Sequence, residues 1–184
     1  MTAGDIANCI AAFSGSAAAV AAFVTISNSA RERTDERMCN YAVRSLERAY
    51  QALMGPDAAN QVRPPADRLA WLTCARLIEQ YKDAKQKIKN PVVLHECEGH
   101  EEHWRHQFYL ALAPLEQISP DYYSSREGKG PIHDVSAIIV HAFASWPDGK
   151  VDPIDIFKNS DTAISELGVS QFWITLRRHL GILK

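Results

Sequence analysis

The sequence predicts an all-α protein in which a long N-terminal helix continues into a helical bundle. Three observations support this class. Apolar residues recur at helical spacing in the long segments between turn signals. No segment alternates between apolar and polar residues as a half-buried strand does. Residues 27–54 contain no Gly or Pro, so the helix predicted there runs unbroken to the pair Gly55-Pro56.

Length, charge and cysteine content limit the classes of protein that fit. A chain of 184 residues is long enough for one domain with a real core and an appendage. The formal net charge of −2 argues against a generic nucleic-acid binder, which is usually basic. The four cysteines are widely spaced and form no CxxC motif, a pattern typical of reduced thiols in a cytosolic setting.

The stretch between Asp5 and Arg31 carries no charged residue. Residues 6–26 within it are long enough to cross a bilayer, whose core needs roughly 20 apolar residues in helical form. No Lys or Arg precedes the stretch, so a signal peptide is not indicated, whereas Arg31 and Arg33 follow it as at a stop-transfer boundary. This pattern predicts a bacterial inner-membrane protein with a cytoplasmic C-terminal domain.

The alternative for this stretch is a helix buried in a soluble, cytoplasmic bundle, because alanine is abundant and several residues are polar. Small residues recur at every fourth position, namely Ala7, Ala11, Gly15 and Ala19. Such a ridge lets two helices approach closely, as a homodimer face in lipid or as a tight crossing in a soluble bundle. The predicted division is a hydrophobic N-terminal helix at residues 1–30 and a helical bundle domain at residues 31–184.

Turn signals and apolar stripes place the individual helices. The first is expected from about Asp5 to Met54, and its core-facing stripe consists of Met38, Ala42, Leu46, Ala49 and Leu53. The second begins with Pro65 in its first turn and ends at Asn90-Pro91. The remaining helices are expected at 96–113, at about 135–146, at 161–167 and at 170–180.

Four of the seven histidines lie between His95 and His106, which raises the question of a metal site. The HExxH motif is not met, because His100 follows His95 by five residues, and no Glu-x-x-His pair occurs. Cys97, His100, His103 and His106 follow one another as a ladder at steps of three residues and are the candidate ligands on one helix. A complete site would need a ligand from the following helix, for which His133 and His141 are the candidates. Zn²⁺ suits such nitrogen and sulfur donors. The alternatives are acid–base pairs on one helix face and a proton-responsive patch.

Catalytic motifs are not found: the sequence has no GxSxG, no P-loop and no GxGxxG. The segment 162–180 follows the plan of a helix-turn-helix, with Gly168 in the turn and the basic residues Arg177 and Arg178 in the second helix. Phe172 and Trp173 stand where base-reading polar residues would be expected. This segment is therefore interpreted as a hydrophobic helical hairpin that closes the bundle, and nucleic acid as a partner is not favoured.

Three runs resemble segments of small bacterial proteins of unassigned function that begin with one hydrophobic segment. They are Ser45-Leu-Glu-Arg-Ala-Tyr, Pro64-Pro-Ala-Asp-Arg-Leu-Ala-Trp-Leu-Thr and Glu101-Glu-His-Trp-Arg-His-Gln-Phe-Tyr-Leu-Ala-Leu. The resemblance covers roughly residues 5–150. It implies a hydrophobic N-terminal segment followed by a helical domain, and it implies no activity.

These observations predict a non-enzymatic, membrane-anchored helical protein with an interaction or scaffold role. Its expected partners are the inner membrane and either another protein or a second copy of the chain. The alternative function is that of a soluble helical regulator, with a C-terminal tail that binds DNA or protein. No cofactor is predicted beyond the zinc hypothesis.

Overall fold

A computed structural model of the chain describes residues 3–56, 61–119, 121–125, 130–147 and 149–181, without the side chains of residues 3–22, 24 and 28. Within these ranges the secondary structure is helical and contains no strand, which confirms the all-α class. The α-helices are α1 (Ala3–Met54), α2 (Arg68–Gln86), α3 (Pro91–Leu112), α4 (Asp121–Ser124), α5 (Asp134–Ala144), α6 (Ser160–Leu167) and α7 (Ile174–His179). Two 3₁₀ turns, Ala113–Gln117 and Pro153–Ile156, complete the set.

The chain divides into two compact units, Met1–Ser145 and Trp146–Lys184. In the first unit α1 packs against α2 and α3, and α5 packs against the same two helices. The core between them contains large side chains that are almost completely buried, among them Leu46, Trp71, Ile78, Tyr81, Phe108 and Val140. The predicted boundary at residue 30 stays a prediction.

Helix α1 is one continuous helix, as its sequence predicts. In its C-terminal half Ala42, Leu46, Ala49 and Leu53 are fully buried, so the predicted stripe faces the core. The first buried residue in the described part of α1 is Asp35. Among the side chains of α1 that the structure describes, those from Asp35 onward supply the residues of the core.

The predicted membrane span at residues 6–26 is not supported by the structure. Among the residues that the structure describes, no helix is both long enough and apolar enough to cross a membrane. Most side chains of the predicted span, and the ridge from Ala7 to Ala19, lie outside the described residues. At the end of the span Phe23 and Ile26 are 71% and 68% exposed, so no part of the bundle covers them.

The starts of α2 and α3 differ from the prediction. Helix α2 begins after Asp67, whose carboxylate accepts hydrogen bonds from the N–H groups of Leu69 (2.7 Å) and Ala70 (3.3 Å). The pair Asn90-Pro91, expected to end the second helix, instead starts α3: the Asn90 side chain caps the Val92 N–H at 2.9 Å, and Pro91 occupies the first turn. Pro is favourable there because the first turn needs no backbone donor.

The second unit holds two short helices. Asn159 caps α6 by accepting from the Thr162 N–H at 2.9 Å, and Gly168 ends it with the left-handed φ of 64° that favours glycine. The predicted helix at 170–180 is shorter in the structure, because α7 spans Ile174–His179. None of the described residues of this unit is buried. Phe172 and Trp173 are 92% and 64% exposed. The predicted hairpin that closes the bundle stays a prediction.

Candidate functional site

The histidines of α3 do not surround a common point. His100, His103 and His106 are exposed, whereas Cys97, the first residue of the predicted ladder, is fully buried. The His103 ring packs edge-on against Trp104, with 5.4 Å between the ring centroids. Successive residues at three-residue steps rotate around a helix, so the ladder distributes its side chains between core and solvent.

The Cys97 thiol lies on the core side of α3, within hydrogen-bonding reach of Cys39 on α1. Burial, reinforced by Cys39, raises the pKa of Cys97 to about 12. Burial likewise raises the pKa of Cys39 and of Cys74. Because the thiolate is the nucleophile and the metal ligand, these three side chains are unreactive core residues near neutral pH.

His141 lies on α5, in an aromatic cluster rather than beside the histidines of α3. Its Nε2 is 2.9 Å from the Tyr123 hydroxyl, and its ring stacks on Trp71 with 5.9 Å between centroids. Burial lowers the pKa of His141, and the Glu116 carboxylate opposes this effect only in part. The lowered pKa favours the uncharged imidazole, and the hydrogen bond between its Nε2 and the Tyr123 hydroxyl joins α5 to α4.

The positions of the predicted ligands do not support the zinc hypothesis. Across the part of the chain that the structure describes, no three His, Cys, Asp or Glu side chains converge so as to hold a metal ion. The predicted ligand set of Cys97, His100, His103, His106 and His141 stays a prediction.

The charged residues that sequence reasoning missed form a network inside the bundle. Glu101 on α3 bonds Lys85 on α2 through one carboxylate oxygen and Arg105 through the other, each at 2.7 Å. Glu98 approaches Lys85 at 3.3 Å. Burial alone would raise the pKa of Glu101, but the hydrogen bonds and charges of its partners lower it overall. Burial would lower the pKa of Lys85, and the two carboxylates raise it instead.

Arg105 connects this network to the C-terminal end of α5. Its Nη1 donates to the backbone carbonyls of Phe143 and Ser145, each at 2.8 Å, and its guanidinium carbon lies 5.3 Å from the centre of the Phe143 ring. The Glu101 carboxylate balances the charge of the guanidinium, and the two backbone carbonyls accept hydrogen bonds from its N–H groups. The network joins α2, α3 and α5, and this arrangement indicates a structural role.

Residues of α1 and of the connection between α2 and α3 form a polar junction, defined here as Arg31, Asp35, Lys87 and Lys89. The buried Asp35 accepts hydrogen bonds through Oδ2 from the backbone N–H groups of Lys89 (3.1 Å) and Asn90 (2.7 Å). An open depression of about 460 Å³ beside it is lined by the three cations of the junction. Asp35 thus fastens α1 to the connection between α2 and α3.

A second depression lies between α2 and α5 and has a volume of about 490 Å³. Leu72, Ala75 and Ile139 line it, together with the polar residues Arg76 and Glu79. Nearby on α5, Val135 and Ile138 are 55% and 64% exposed. An apolar surface with a polar rim is typical of a binding groove.

Comparison with known proteins adds no family to these observations. Neither the protein-family models, nor the curated proteins, nor the solved structures contain a match to this chain.

Proposed function

We propose that the chain is a non-enzymatic interaction or scaffold protein, anchored in a bacterial inner membrane through the N-terminal part of α1. The bundle lies on the cytoplasmic side. The observation that carries the proposal is the length of helix from Ala3 to Asp35, the first buried residue among the described side chains of α1. At about 1.5 Å per residue this segment extends on the order of 45 Å, which exceeds the roughly 30 Å of a bilayer core.

The charges at the junction fit this orientation. The helix carries no charged residue between Asp5 and Arg31, and Arg31 then lines the same depression as Lys87 and Lys89. Cations that follow a span are characteristic of the cytoplasmic side. Asp35 would then hold the bundle close to the membrane surface, because it fastens α1 to the connection that carries both lysines.

The interaction role rests on the apolar surface that the bundle leaves exposed. Val135 of α5 is exposed and lines the depression between α2 and α5, which could receive an apolar segment of a protein partner. In the membrane, the ridge Ala7, Ala11, Gly15 and Ala19 would supply the contact for a second copy.

Membrane fractionation of the full chain tests the anchor, with a charge introduced into the helix by Val20→Lys. We expect the unmodified chain to remain with membranes through alkaline carbonate extraction and to need detergent for release. A lysine at the centre of a span costs about 2.5–3.5 kcal/mol, so Val20→Lys should shift the chain strongly toward the soluble fraction.

The matched control is Val62→Lys, because Val62 is 79% exposed outside the helices. This variant should fractionate like the unmodified chain. Recovery of the unmodified chain wholly in the soluble fraction without detergent would rule out the anchor, as would equal behaviour of the two lysine variants.

A further inference from the structure

The segment from Leu167 to Lys184 combines exposed apolar residues with an unbalanced positive charge. It contains Arg177, Arg178 and Lys184 and no Asp or Glu side chain. The chain as a whole has a net charge of −2. Large apolar side chains are exposed in the same segment, namely Phe172 (92%), Trp173 (64%), Ile174 (55%) and Leu176 (43%).

The local structure concentrates these groups within about two helical turns. Gly168 ends α6, and the chain then turns so that Trp173 immediately precedes α7. The apolar residues 172–174 stand at the start of α7, and Arg177 and Arg178 stand in its last turn. The aromatic and cationic groups are therefore adjacent on one short, exposed element.

Two of the conceivable partners fit this chemistry poorly. Reading of DNA bases requires polar donors and acceptors on the exposed helix, and Phe172 and Trp173 offer large apolar surfaces instead. A protein groove would need acidic residues to match the two arginines as well as an apolar floor. A bilayer with anionic lipid offers both features in one surface, because its phosphates attract cations and its headgroup boundary accepts aromatic rings.

We propose that residues 170–180 dock on the surface of a bilayer that contains anionic lipid. Phe172 and Trp173 enter the boundary between headgroups and acyl chains, and Arg177 and Arg178 pair with lipid phosphates. The long arginine side chains can extend toward the phosphates while their stems remain in the apolar layer. This docking goes beyond the proposed anchor and does not require α1 to cross the membrane.

The test uses the full chain with two kinds of vesicle, phosphatidylcholine alone and phosphatidylcholine mixed with phosphatidylglycerol, each with brominated acyl chains that quench tryptophan. We expect the anionic vesicles to quench the tryptophan fluorescence of the unmodified chain and the vesicles of phosphatidylcholine alone to leave it unchanged. This quenching should disappear in Trp173→Phe and persist in the control Trp146→Phe. Trp146 is a suitable control because it is also a partly exposed tryptophan, 38% accessible, in the same unit.

The charge requirement is tested with Arg177→Ala/Arg178→Ala, which should bind the anionic vesicles about 25-fold more weakly, at roughly fivefold for each cation. The control Arg44→Ala/Arg48→Ala removes two exposed arginines of α1 and should leave binding unchanged. The Trp173 signal should also persist in Val20→Lys, which separates this docking from the anchor.

Three results would overturn the proposal. The first is a Trp173 that is not quenched by either vesicle, and the second is equal quenching by both. The third is duplex DNA that competes with the vesicles for the segment, with binding lost in Arg177→Ala/Arg178→Ala, which would assign these arginines to nucleic acid.

Discussion

Replacement of Arg105 by methionine is expected to lower the free energy of unfolding by about 3–5 kcal/mol, the range typical of a buried ion pair that loses one partner. Methionine retains much of the side-chain volume but leaves the Phe143 and Ser145 carbonyls without the donor that reaches both at 2.8 Å. Glu101 loses the partner at 2.7 Å that neutralises one of its carboxylate oxygens. A large effect follows because buried polar groups without partners bear the full cost of desolvation.

Denaturant unfolding followed by circular dichroism measures this change, with Arg48→Met as the control on the exposed face of α1. The control should change stability by no more than about 0.5 kcal/mol. The loss of unfolding free energy in Arg105→Lys should lie between those of Arg105→Met and the control. Lysine keeps the charge but lacks the forked guanidinium that bonds Glu101 and both carbonyls at once. Equal stability of Arg105→Met and the control would contradict a structural role for the network.

The network also gives the stability a defined dependence on pH. The pKa of Glu101 is lower in the folded chain than in the unfolded chain, so its contribution is present above the unfolded pKa of about 4.3. That contribution is lost as the pH falls through the folded pKa. The slope of stability against pH below about pH 4 should therefore be shallower in Arg105→Met than in the unmodified chain.

Replacement of Trp71 by alanine is expected to lower the free energy of unfolding by about 3–5 kcal/mol, as is usual for a buried tryptophan. The side chain is completely buried. Its Nε1 donates to the Pro65 carbonyl at 3.2 Å, and its ring meets those of Tyr122, Tyr123 and His141 at centroid distances of 5.9–6.3 Å. The change would thus leave a cavity and remove the surface on which α4 and His141 pack.

The matched control is Trp146→Ala, because Trp146 is partly exposed and its Nε1 donates to the carbonyl of the nearby Lys150 at 2.6 Å. Trp71→Phe should recover a large part of the loss, since the phenyl ring refills much of the cavity, although it lacks the N–H group and the second ring of the indole. The measurement is again denaturant unfolding, and a loss in Trp71→Ala no larger than in the control would refute the packing role of Trp71.

Structural features that depend on neighbouring residues, such as the buried face and the end of a helix, were predictable. The spacing of Ala42, Leu46, Ala49 and Leu53 is enough to identify the buried face of α1, because one face of a helix needs only its own periodicity. The long helix and its end at Gly55-Pro56 follow from local breakers in the same way. Asn90-Pro91 is ambiguous by this criterion, since proline both follows one helix and begins the next, and the Asn90 cap on Val92 identifies the second role.

Relations between distant residues were not predictable from the sequence. Asp35 bonds Lys89 and Asn90, more than fifty positions along the chain, and His141 meets Tyr123 from a separate helix. A histidine cluster is conspicuous in sequence, yet α3 turns Cys97 to the core and His103 to solvent. Helix class, turns and the uncharged N-terminal stretch were determined by the sequence alone, since propensity and periodicity are local. Which polar groups become buried partners was decided only by the tertiary structure, because the packing of separate helices selects them.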